Sequence, residues 1–212
     1  MRLPRLLAVT AAATVALPAG AAAAPKPAPA QLAQSKRTSV FVEGDSLTVG
    51  AANGLRRKLA PHVRRVGIDA QVGRFTSTGL SRLARASRAE RSRVWVLALG
   101  TNDGPNPQRL QQYVRRSLRM AGPGRDVVWL TIKRPGGYQR VNRMLRAMDA
   151  RYDNLHVVDW ARTVTRHPGL VGGDRVHGTS RGYEVRAQLI AEQALVLAQE
   201  PGASRTARTG VK

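Results

Sequence analysis

Phe41-Val42-Glu43-Gly44-Asp45-Ser46-Leu47-Thr48-Val49-Gly50 is the stretch whose reading decides the fold. An apolar run stops at a Gly-Asp turn, one hydroxyl follows, and the pattern then becomes that of a helix. A serine at the carboxyl end of a strand, on the first turn of the next helix, sits where free N–H groups and the helix dipole favour a developing oxyanion. The same position also suits a simple N-cap, which is the commoner use of serine. Residues far along the chain decide between the two.

Outward from that turn, strand and helix patterns alternate. Ser39 to Glu43 reads as a strand and Thr48 to Leu59 as a helix that closes near Pro61. Val66 to Val72 reads as a second strand and Gly79 to Glu90 as a second helix. The unbroken apolar run Val94 to Leu99 fits a central strand buried on both faces. A helix from Pro107 to Met120 has proline at its start and Gly122-Pro123-Gly124 beyond its end. Asp126 to Ile132, Tyr138 to Tyr152, Leu155 to Val158 and Thr179 to Gln199 continue the alternation. Repeated βαβ units predict a five-stranded parallel sheet in a flavodoxin-like, three-layer α/β/α sandwich.

Residues 1–24 have a basic start (Arg2, Arg5), a short apolar stretch and an Ala-x-Ala site, the pattern of a secretory signal peptide. Residues 25–37 are Pro- and Ala-rich like a linker, 38–199 are the length of one domain, and 200–212 read as a disordered tail. No transmembrane anchor is expected to remain after cleavage. There is no cysteine, so the domain folds without disulfides. The formal net charge is +22, from 35 Lys and Arg against 13 Asp and Glu. The arginines are scattered over every expected helix, and aromatics are only 4% of the chain. That distribution lacks the stacking rings of a single-strand binder and points to a solvated basic surface with attraction to anionic wall polymers. No physiological nucleic-acid partner is expected, and a monomer is.

In a parallel sheet, chemistry gathers beyond the carboxyl ends of the strands. There the sequence puts Asp45-Ser46, Gly73-Arg74 and Gly100-Thr101-Asn102-Asp103, with Gly173-Asp174-Arg175-Val176-His177 just before the last helix. Acyl transfer needs a hydroxyl, a base, a group to hold the base, and oxyanion donors. Ser46, His177 and Asp174 can fill the first three roles. Backbone N–H groups of Ser46 and Gly73 with the Asn102 amide can form the oxyanion hole. Asp69 reads as a structural acceptor near enough to pair with Arg74, while Arg74 is also a candidate contact to an anionic or sugar substrate. Asp103 reads as a cap. His62, His156 and His167 have no metal-ligand spacing and no phosphate-cradling loop is present, so neither metal nor cofactor is implied.

These blocks resemble the SGNH/GDSL hydrolase superfamily. Gly44-Asp45-Ser46-Leu47, Gly73, Gly100-Thr101-Asn102-Asp103 and Asp174-x-x-His177 follow the family's order across the expected domain. The resemblance implies Ser46 as nucleophile, His177 as base, Asp174 as its orienting acid, and Gly73 and Asn102 in the oxyanion hole. Many esterases carry an asparagine shortly before the second-block glycine, where this chain has Asp69. Asp69 to Arg74, Val157 to Trp160 and Gly173 to His177 look like the extracytoplasmic SGNH domains of bacterial wall-polysaccharide O-acetyltransferases. The implied function is a secreted serine esterase acting on small acyl esters, O-acetyl groups on glycans foremost. An O-acyltransferase and a non-catalytic wall-binding module are the alternatives.

Overall fold

The computed structural model describes residues 36–86, 89 and 91–199. The expected signal peptide, all but the last two residues of the linker, and the tail lie outside the described residues. Within them the chain runs β1 (Ser39–Gly44), α1 (Ser46–Leu59), β2 (Arg65–Ala70), α2 (Thr76–Leu83), β3 (Val94–Ala98), α3 (Pro107–Ala121), β4 (Asp126–Leu130), α4 (Gln139–Asp149), β5 (Leu155–Val158), α5 (Trp160–Arg166) and α6 (Ser180–Gln199). All strand pairs are parallel, in the order β2-β1-β3-β4-β5. This is the expected three-layer α/β/α sandwich.

Residue parity along the strands assigns the two faces, as the alternation of side chains in a pleated strand requires. Val40, Val42, Val94, Val96, Val128 and Leu130 turn to one side, where Leu55 and Leu59 of α1, Val164 of α5 and Ile190 and Ala194 of α6 cover them. Phe41, Trp95, Leu97, Val127 and Trp129 turn to the other, under Leu80 of α2, Val114 of α3 and Leu145 of α4. Apolar area removed from water on both faces is the main stabilising term, so β3 is apolar throughout and β1 holds only Ser39 and Glu43 as polar side chains. Helices α1 and α6 come close enough that a Cβ at Gly54 would lie 2.9 Å from that of Ala187. That contact brings the start of α1 beside the start of α6. Strand order reverses between β1 and β3, and a doubly wound sheet opens a crevice at such a switch point.

Most strand and helix ends fall within a few residues of expectation, and three departures have a physical cause in the structure. Helix α1 begins at Ser46 rather than Thr48 because Asp45 is its N-cap, its carboxylate accepting from Leu47 N at 3.0 Å. Ser46 is therefore the first helical residue and not the cap. Helix α2 spans Thr76–Leu83 rather than starting at Gly79, because Asp103 accepts from Thr76 N at 3.1 Å and from its hydroxyl at 2.6 Å. The short α5, capped by Asp159 through Arg162 N at 3.2 Å, was not expected. Among the described residues no helix is long and apolar enough to cross a membrane.

Candidate active site

The crevice end of β1 is built by crowding. A Cβ on Gly44 would fall 2.0 Å from Thr48 Oγ1, so only glycine lets the first turn of α1 fold back tightly onto the strand. That turn leaves Ser46 half-buried at the rim, with its N–H among the unpaired donors of a helix start.

His177 arrives from the loop between α5 and α6. Its carbonyl accepts from Gly172 N at 2.8 Å, and a lone antiparallel bridge pairs Val171 with Gly178. Arg175 takes a left-handed conformation (φ 59°), a strained choice for a non-glycine residue that closes the loop on itself. As a result Asp174 Oδ1 accepts from both Val176 N (2.9 Å) and His177 N (3.0 Å). The other oxygen, Oδ2, lies 2.6 Å from His177 Nδ1. Nε2 of the same ring lies 3.0 Å from Ser46 Oγ. Asp174 and His177 side chains are about half exposed, 51% and 50%. The hydrogen bond to His177, followed by the two backbone N–H bonds, holds the Asp174 carboxyl down at about 2. An ionised carboxylate only accepts, which assigns the Nδ1 proton to His177 and leaves Nε2 free to accept from the serine.

Gly73 and Asn102 stand at the ends of the flanking strands. Gly73 has φ 73°, and the space where its Cβ would be is open, so the turn requires glycine while the surface above it stays clear. Asn102 Nδ2 donates to Arg74 O at 3.1 Å, tying the β3 loop to the β2 loop and leaving its second amide proton available. The Asn102 loop is fixed from behind: Arg134 Nη1 and Tyr138 Oη both donate to Thr101 O, at 2.7 and 3.1 Å.

Arg74 is corrected by the structure. It is 4% exposed and cannot meet a substrate from there. Its guanidinium is spent on Glu43 and on Asp69, at 2.8 Å from Asp69 Oδ1 and 2.9 Å from Asp69 O. Asp69 is thus the structural acceptor expected. His156 pairs with Asp126 at 3.2 Å, well away from the rim. No group of three or more His, Asp or Glu side chains among the described residues could hold a metal.

Three buried ionisable residues in two places under the rim were not anticipated. Asp45 is wholly buried, and burial pushes its carboxyl up against the opposing charge of Arg186 and the N–H of Leu47. Arg186 of α6 is 3% exposed, lies 5.2 Å above the Trp160 ring, and is pushed down to about 10 by burial while Asp45 pulls it back. Its Nε and Nη1, with Asp45 Oδ2 and Thr48 Oγ1, have no hydrogen-bond partner among the described residues. Glu43, also fully buried, is the third such residue.

No family profile matches the chain. The O-acetyltransferase OatA of Staphylococcus aureus is 27% identical over 158 residues, 73% of this chain and 25% of the relative. The chain thus spans about a quarter of the length of the curated relatives it matches. Among solved structures, the C-terminal catalytic domain of Streptococcus pneumoniae peptidoglycan O-acetyltransferase A superposes with TM-score 0.63 at 23% identity, covering 77% of this chain and 94% of that domain. A lipase/acylhydrolase from Enterococcus faecalis gives 0.66 at 20% identity, covering 76% and 96%. An acetyl xylan esterase gives 0.58 at 16% identity, covering 73% and 98%. Sheet order, crossovers and these neighbours agree: the chain has the α/β fold of the SGNH, or GDSL, hydrolases and resembles the catalytic domains of O-acetyltransferases within it.

Proposed function

We propose that the protein is a secreted serine esterase that removes small acyl groups, O-acetyl groups on glycans foremost, through an acyl-enzyme on Ser46. The observation that carries this reading is the unbroken line of contacts from Ser46 Oγ to His177 Nε2 at 3.0 Å and from His177 Nδ1 to Asp174 Oδ2 at 2.6 Å. Within this reading Ser46 Oγ attacks the ester carbonyl while His177 Nε2 takes its proton. Asp174 keeps the ring in the right tautomer and stabilises the imidazolium. The oxyanion meets the N–H groups of Ser46 and Gly73 and the free amide proton of Asn102. The imidazolium returns its proton to the leaving alcohol, and water activated by His177 then releases the acid.

Transfer to a sugar hydroxyl differs from hydrolysis only in what attacks the acyl-enzyme. The similarity to OatA favours that second reading. In either case the basic surface of the chain would attract anionic wall polymers. The test is turnover of a chromogenic acetate ester by wild type and Ser46→Ala, with the acyl-enzyme trapped for mass spectrometry with and without glycan acceptors. A mass increase of one acetyl on Ser46 supports the reading. Equal rates for the two proteins overturn it, and product on the acceptor instead of free acetate selects transfer.

A further inference from the structure

Few large apolar side chains are exposed among the described residues, and they are unevenly placed. Val49 (44% exposed), Val72 (70%) and Phe75 (53%) all belong to the first turns of α1 or the loop after β2; Val196 alone lies elsewhere. Val49 follows Ser46 by three residues, one turn along the same helix face. Val72 and Phe75 bracket Gly73-Arg74. The chain has two Phe, three Trp and four Tyr, and of these nine rings only that of Phe75 is exposed.

Phe75 is also in a position that local preference would give to another residue. It is the N-cap of α2, where Ser, Thr, Asp or Asn is favoured, and it makes no side-chain capping bond. Asp103 does that work from another loop, accepting from Thr76 N and Oγ1. On the other side, Arg74 is fixed by Glu43, Asp69 and Asn102. An exposed aromatic is therefore held on a backbone clamped at both neighbouring residues. A local rule broken in a place the fold has braced is characteristic of a ligand contact, and a braced ring loses little freedom when it binds.

We propose that Phe75 is the platform on which the sugar ring bearing the ester stacks. The inference deepens the proposed function and rests on its glycan reading. A long acyl chain gains most when apolar walls enclose it, whereas Val72 and Phe75 stand out into solvent and the space above Gly73 between them is open. A pyranose ring suits such a surface. Its C–H face carries the partial positive charge that an aromatic face attracts, and its hydroxyl edges stay in water.

The test compares kcat/KM on an O-acetylated chitooligosaccharide with that on glyceryl triacetate, which has no sugar face. Phe75→Ala should lose about tenfold on the oligosaccharide, mainly through KM, and no more than about twofold on triacetate. Phe75→Trp should keep the oligosaccharide activity and Phe75→Leu should not, since leucine keeps apolar area without a ring face. Equal losses on both substrates, or full rescue by leucine, overturn the platform while leaving a Ser46-dependent esterase standing. A second measurement needs no turnover. In Ser46→Ala protein with labelled phenylalanine, the buried Phe41 (3% exposed) is an internal control for Phe75. Adding the oligosaccharide should move the Phe75 ring signals alone; no movement, or equal movement of both, overturns the proposal.

Discussion

Two aspartates serve the same few ångströms of this molecule in opposite environments. Asp174 stands half in solvent, and its partners are all within three residues of it in the chain. Asp45 has no exposed surface, and its counter-charge comes from Arg186 at the far end of the sequence. Hydrogen bonds push the Asp174 carboxyl down, whereas burial pushes Asp45 up. The first carboxylate holds the His177 ring and asks little of the fold. The second caps the helix that presents Ser46, and the charge of Arg186 on α6 offsets its burial there. The two carboxyls are thus set by different means: local loop geometry for one, a buried helix cap for the other.

The widest gap between them should appear in Asp174→Asn. An amide can present the wrong hydrogen-bonding group to Nδ1 and favour the unproductive tautomer, so kcat/KM should fall by about 10⁴-fold. Its urea midpoint should barely move, because the side chain stands half in solvent and its partners all belong to its own loop. Parallel losses in rate and midpoint would break the contrast. Arg186→Met should behave in the reverse sense. Removing the cation takes away the charge that offsets burial at Asp45, so that carboxyl should rise further and the urea midpoint should fall. Adding Asp45→Asn to Arg186→Met should restore part of that, and a double-mutant cycle with no coupling would show that the two do not interact.

Asn102→Ala sharpens the chemical side. On the proposed mechanism it loses one oxyanion donor and should lower kcat by about 10²–10³-fold, with KM changed far less. An effect on KM alone would reduce Asn102 to a brace for the Arg74 carbonyl it now bonds.

Much of this arrangement was readable in the chain, for identifiable reasons. The apolar run Val94 to Leu99 and the short Leu155 to Val158 mark strands by composition alone, and β5 has the expected bounds. Ser46, Gly73, Asn102, Asp174 and His177 are carried by motifs a few residues long, at strand ends, at a helix start or in the loop before the last helix. Start signals borrowed across the fold were not readable: α2 is capped by Asp103, 27 residues beyond Thr76. Glu43 is hidden inside an apolar strand, and Arg186 is one arginine among many. One clue did exist for Arg186. It falls four residues after Gly182 and four before Ile190, on the buried stripe of α6, where a cation needs a partner.

Glu43 sets the last and smallest test, and it divides the buried side of the comparison. Asp45 has Arg186 to itself, but Glu43 shares Arg74 with Asp69. Burial works against the Asp69 charge too, yet hydrogen bonds from Arg74 and Arg82 outweigh it and hold that carboxyl below its ordinary value. Asp69 thus holds both cations of the cluster at contact distance, and only Arg74 also reaches Glu43. Glu43 Oε2 is buried with no donor facing it among the described residues. Burial accordingly pushes Glu43 up to about 8, Arg74 pulling the other way. A carboxyl raised in the folded state keeps a proton that the unfolded chain has lost above its ordinary value of 4.5. Its contribution is complete below about pH 4.5 and drains away as pH rises through about 8. Glu43→Gln fixes the neutral form, so its stability relative to wild type should climb by about 1–3 kcal/mol between pH 5 and pH 8. Asp45 is unchanged in both proteins and cancels from the difference. Thermal unfolding at each pH measures that climb; a flat difference would mean that Glu43 is ionised throughout and that Arg74 serves two charges at once.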